Sequence, residues 1–205
     1  ADLARANLAG ANLAGADLVG ANLAGAYLAD ANLAYAYLAD ANLAGAYLAR
    51  ANLEGANLAG AYLARANLEG ADLVGANLAG ADLARANLVG ANLAGANLAR
   101  ANLVGANLAG ANLAGADLAR ANLAGANLAG ASGCILLTET DHGYRVVAGW
   151  VGGEWRIWAG CRDFTIAQAR EHWGAADYRL PQSGSRIVAL LDWLEKQPTP
   201  VEVAR

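Results

Sequence analysis

Residues 21–40 read ANLAGAYLADANLAYAYLAD, four pentapeptides that each open on Ala and carry Leu at the third place. Followed outward, the same register runs from Ala1 to Gly130 without a break, 26 pentapeptides in all. The second place holds Asn or Asp except at Tyr27, Tyr37, Tyr47 and Tyr62; the fourth is mostly Ala and the fifth mostly Gly. A period of five excludes the ordinary elements. Wound as a helix at about 100° per residue, successive Leu would step by about 140° and form no apolar stripe. Along a flat strand, an odd period would send successive Leu to opposite faces.

A corner in every repeat removes the conflict. Ala and Leu, two apart, share one face of a short extended segment, the second-place residue points outward, and the last two residues turn the chain by about a quarter circle. Four sides then close a coil of about 20 residues, and stacked coils pair their backbone groups along the axis at about 4.8 Å. Ala fits where four sides converge, Leu fills the centre, and Gly tolerates whatever angles the corner needs. At four repeats per coil the rod has about 6.5 coils and a length of about 30 Å.

The A(D/N)LXX register of residues 1–130 resembles the pentapeptide-repeat proteins. The resemblance implies a mainly β fold, a right-handed quadrilateral β-helix; the handedness comes from the resemblance and not from the spacing. Some members of that family resemble B-form DNA in shape and charge and bind type II topoisomerases, with a link to quinolone resistance. The rod here has nine acidic residues against six Arg, with Asn at most of the sites where Asp would serve. Duplex DNA carries one charge per about 1.7 Å of axis, so a DNA-mimicking inhibitor or protector of topoisomerase is the alternative reading and not the first.

Composition narrows the function classes. The formal net charge of −4 offers no basic footprint for direct nucleic-acid binding, and no apolar run is long enough to cross a bilayer. Two cysteines build no disulfide framework, and the N-terminus lacks a signal-peptide pattern, which makes the cytoplasm the expected compartment. No His or Cys lies within the repeats, so the rod supplies neither nucleophile nor transition-metal site; no enzyme activity and no cofactor are expected.

Residues 20 apart should stand one above another, which makes the exterior legible. Tyr27 and Tyr47 should stack, with Asp30 and Arg50 beside them as an ion pair; Tyr35 and Tyr37 fall on the next two sides and Tyr62 on the remaining one. Arg65 stands under Arg85, and Arg100 under Arg120. The five Tyr are candidate contacts for a protein partner of unstated identity, since exposed aromatic rings give contact area at low entropic cost. Self-stacking for local stability is the simpler reading of the same residues.

The remaining sequence has ordinary globular composition, dividing the chain into a β-helix, 1–132, and an α+β domain, 133–205. Tyr144–Trp150 and Trp155–Cys161 read as a hairpin about a Gly-Gly turn, with Ile135–Thr140 as a third strand. A helix should start near Phe164, with Thr165 as N-cap and Gln168 closing a capping box, and end at Gly174; a second should run from Ser185 to Gln197. The segment from Gly153 to Thr165, continuing to His172-Trp173, looks like a module appended to pentapeptide-repeat proteins in bacterial and phage genomes. Its expected role is to cap the last coil. Trp150, Trp155, Trp158 and Arg162 are second candidates for a binding surface, with core packing as the simpler role. Cys134, His142, Cys161 and His172 match no paired zinc spacing, so no metal site is assigned. No cap for the N-terminal end is visible in the sequence, and head-to-head self-association through it is an expectation. The sequence thus reads as a non-enzymatic scaffold.

Overall fold

The computed structural model describes residues 1–118, 120–132, 134–139, 145–151, 154–159 and 162–174. From Asp2 to Ser132, every second-place residue pairs in parallel with the residue 20 positions on: Asp2 with Asn22, Asn22 with Asn42, and so to Asn112 with Ser132. Four such ladders make four sides. Side 1 runs through Asp2, Asn22 and Asn42, side 2 through Asn7, Tyr27 and Tyr47, side 3 through Asn12, Asn32 and Asn52, and side 4 through Asp17, Tyr37 and Asn57.

Coil 2, residues 21–40, shows how the backbone is satisfied. Leu23 N–H donates to the Asn42 carbonyl at 2.7 Å and Gly25 N–H to Ala44 at 2.9 Å, both toward the next coil. Ala26 N–H closes the corner on the Leu23 carbonyl at 3.0 Å, and Tyr27 N–H reaches back to Ala6 at 2.9 Å. In the interior coils the first, second, third and fifth N–H groups of a repeat are therefore met by backbone. The fourth is not, and the side chain at the second place supplies the acceptor. Asp2 Oδ1 accepts from Ala4 N–H at 3.2 Å, Asn32 from Ala34 at 3.1 Å, Asn77 from Ala79 at 3.2 Å and Asn112 from Ala114 at 3.0 Å. This is an Asx turn repeated up the rod. Asn Nδ2 groups also donate to the Oδ1 one coil below, as Asn87 does to Asn67 at 3.1 Å and Asn112 to Asn92 at 3.0 Å.

Inside, the Ala and Leu of the middle coils are sealed from solvent, from Ala21 and Leu23 through Ala111. Burial weakens at the ends, where Leu3, Leu8, Leu13 and Leu128 are only partly covered. Every fifth-place residue from Arg5 to Arg120, the nine that are not Gly included, has φ between 55° and 69°. The corner is thus left-handed throughout, which explains the Gly preference and makes each exception a strained position.

After the repeats come β1 (Cys134–Glu139), β2 (Arg145–Val151), β3 (Glu154–Ala159), β4 (Arg162–Thr165) and α1 (Ile166–Gly174). The strands form one antiparallel sheet in the order β1-β2-β3-β4. The three expected strands are present within a residue or two of the expected bounds. The fourth was not expected: Phe164, read as flanking a helix start, pairs as a strand residue with Ile157. Thr165 still lies directly before α1 and Gln168 at its third position, as a capping box requires. The expected helix at Ser185–Gln197 lies outside the described residues, as do His142 and Cys161. Among the described residues no helix is long and apolar enough to cross a membrane.

Candidate interaction surface

The large apolar side chains exposed on the rod are five Tyr and Val19. Tyr27 and Tyr47, on adjacent coils of side 2, stack as expected, with ring centroids 4.9 Å apart and planes 3° from parallel. At the corner beside them Arg50 forms a two-pronged bond with Asp30, Nε to Oδ1 at 2.8 Å and the terminal nitrogen to Oδ2 at 2.7 Å. Bonding to that guanidinium holds the Asp30 carboxyl below its ordinary value of 3.8. Both partners are exposed, so the pair fixes geometry more than it adds stability.

Tyr35 occupies a corner, between sides 3 and 4, and its ring folds toward the C-terminal coil. The hydroxyl donates to Glu54 Oε1 at 2.9 Å, and the bond to that carboxylate raises the Tyr35 pKa above its ordinary value of 10.0. The ring lies where a side chain at Gly55 would have to go: a Cβ there would stand 2.5 Å from Tyr35 Cε1. Glu54 was not expected as a partner, although its offset of 19 from Tyr35, one short of a full coil, is the signal that finds it. Tyr37 and Tyr62 project from sides 4 and 1, and Val19 lies on side 4 one coil below Tyr37, each more than half exposed.

Tyr27, Tyr37, Tyr47 and Tyr62 all take the second place, and Tyr has no oxygen that can reach back to the fourth N–H. Among the described residues, no side chain meets the N–H of Ala29, Ala39, Ala49 or Ala64, so water must. Only the Tyr27–Tyr47 pair has stacking to offset that loss.

In the sheet, Trp150 pairs with Trp155, Val147 with Trp158, and Ala159 with Arg162. Among the described residues no cluster of His, Cys, Asp or Glu has the makings of a metal site.

Four parallel ladders with one residue pair per coil and a left-handed corner every five residues define a four-sided β-solenoid. Residues 1–34, 26–63, 36–73, 61–100 and 101–132 match the family model for pentapeptide repeats, in eight copies, and the chain belongs to that family. Its rod is accordingly a right-handed β-helix. Solved pentapeptide repeat proteins are similar to it in part. Rfr23 from the cyanobacterium Cyanothece 51142 is 43% identical over 42% of this chain and 58% of its own, with a TM-score of 0.42. HetL from Nostoc sp. strain PCC 7120, involved in heterocyst differentiation regulation, is 37% identical over 63% of this chain and 69% of its own, with a TM-score of 0.36. QnrB1, a plasmid-mediated fluoroquinolone resistance protein, is 21% identical over 59% of this chain and 71% of its own, with a TM-score of 0.30. The chain thus spans well under two thirds of Rfr23. No curated protein matches it.

Proposed function

We propose that this protein is a non-enzymatic scaffold that holds a protein partner against the Tyr-bearing exterior of its second to fourth coils, with residues 133–205 covering the C-terminal end of the rod. One observation carries the reading. Tyr stands four times at a place where Asn or Asp would complete the backbone bonding of the repeat, and it stands there exposed. Tyr27 and Tyr47 offset the loss by stacking on each other, but Tyr37 and Tyr62 do not, and a local rule broken without compensation in the fold is what a binding site produces. Exposed Tyr on a rigid frame also offers aromatic area with little entropy to lose.

The test replaces Tyr27, Tyr37, Tyr47 and Tyr62 by Asn and Tyr35 by Gly, the residues the repeat itself prefers. Capture of the partner bound by the wild type from source-cell extract should be lost while circular dichroism keeps its shape; equal capture by the variant would refute the reading. Removal of residues 133–205 should drive self-association through the uncovered last coil, and a monodisperse shortened rod would discard the cap. Inhibition of gyrase supercoiling by the wild type would favour the DNA-mimicking alternative instead.

A further inference from the structure

The charge of the rod is unevenly placed around its axis. Over the first 80 residues, sides 1 and 2 with their corners carry Asp2, Asp30 and Glu69 against Arg5, Arg50 and Arg65, and balance. Sides 3 and 4 carry Asp17, Asp40, Glu54 and Asp72 and no cation. None of those four carboxylates has an ion pair among the described residues. Asp17 and Asp72 accept from the N–H groups of Val19 and Val74, and Glu54 accepts from the Tyr35 hydroxyl. On the same two sides lie Tyr35 and Tyr37, 61% and 55% exposed, with Val19 beneath them. The aromatic and apolar groups are thus flanked by unpaired negative charge over coils 1 to 4, a length of roughly 14 Å at the strand spacing.

We propose that the face formed by Val19, Tyr35 and Tyr37 docks a basic, amphipathic polypeptide segment of a partner, whose Lys and Arg side chains meet Asp17, Asp40, Glu54 and Asp72. The proposal rests on the scaffold reading and names the chemistry of its partner. Charge complementarity decides the occupant: a purely apolar segment would leave four carboxylates facing it without counter-charge, and a nucleic acid or acidic peptide would be repelled. Arg side chains add a second attraction, since a guanidinium stacks on a Tyr ring while its neighbours reach the carboxylates. Glu54 ties the Tyr35 ring down over Gly55, so the aromatic surface is already fixed before a partner arrives.

The probe is a synthetic twelve-residue peptide alternating Arg and Leu, labelled for fluorescence anisotropy and titrated with the full-length chain at low salt. A counterpart with Glu for Arg serves as control. The wild type should bind the Arg peptide and not the Glu peptide, with affinity falling as salt is raised. Asp17→Asn, Asp40→Asn and Asp72→Asn together should weaken binding about tenfold. Asp2→Asn with Glu69→Gln, on the balanced sides, should leave it unchanged. No binding by the wild type, or equal weakening by the two sets, overturns the proposal. If Tyr35→Gly with Tyr37→Asn abolishes capture of the cellular partner while the three Asn substitutions on sides 3 and 4 do not, the basic segment is refuted and the scaffold reading stands.

Discussion

Replacing Tyr62 by Asn should stabilise the rod. Tyr62 lies on side 1 between Asn42 and Asp82, more than half exposed, and leaves the Ala64 N–H to water. Asn at the same place gains two bonds already seen elsewhere. Its Oδ1 would accept from Ala64 N–H as Asn77 accepts from Ala79 at 3.2 Å, and its Nδ2 would donate to Asn42 Oδ1 as Asn77 donates to Asn57 at 3.3 Å. At about 0.5 to 1.5 kcal/mol for a net hydrogen bond, and with both partly solvated, the pair should contribute about 1 to 2 kcal/mol. Loss of the half-exposed ring removes a smaller term. Urea titration followed by far-ultraviolet circular dichroism should show a higher midpoint at unchanged slope. Tyr27→Asn should gain less, because it also breaks the 4.9 Å stack on Tyr47. A Tyr62→Asn midpoint equal to or below that of the wild type would refute the assignment of the Asx turn as the purpose of the second place.

Other expectations concern the corners and the charged pairs. Gly55→Ala should destabilise more than Gly75→Ala, since both have positive φ but only Gly55 lies under the Tyr35 ring; the excess should vanish in a Tyr35→Gly background, as a double-mutant urea cycle would show. Arg100→Gly should raise stability by about 1 kcal/mol by relieving a left-handed non-Gly residue and its like-charged neighbour in the Arg120 column. Asp30 has a depressed pKa in the folded rod, so its contribution is present above the unfolded value and lost as pH falls through the folded one; the acid limb of the urea midpoint should flatten in Asp30→Asn. Tyr35 has a raised pKa, so its contribution is present below the unfolded value and lost as pH rises through the folded one. In Glu54→Gln the Tyr35 titration, read by absorbance near 295 nm as the difference from Tyr35→Gly, should move down toward 10.0.

Much of this architecture could be read from residues 21–40, because a period of five leaves a corner in every repeat as the one way to keep Ala and Leu inside. The stacking of Tyr27 on Tyr47 and the Asp30–Arg50 pair follow from the step of 20 alone. What the pattern did not disclose was why the second place is Asn or Asp. That requires knowing which N–H the backbone ladder leaves unmet, and the fourth-place Ala bears no mark of it. The corner at Tyr35 was legible as a position but not as a contact, since a fifth-place side chain leans onto the coil above. In the C-terminal sheet, β4 was missed because Arg162-Asp163-Phe164-Thr165 has no alternation of its own and becomes a strand only beside β3.

The step of 20 makes length and azimuth separately editable. Excising residues 61–80 would join Gly60 to Ala81 across an identical corner, shortening the rod by one storey while every downstream column keeps its compass bearing. Excising a single pentapeptide would instead rotate everything beyond it by a quarter turn, bringing Arg100 and Arg120 round to a different flank. Insertions and deletions in such a chain are therefore a discrete dial for its surface, with four settings.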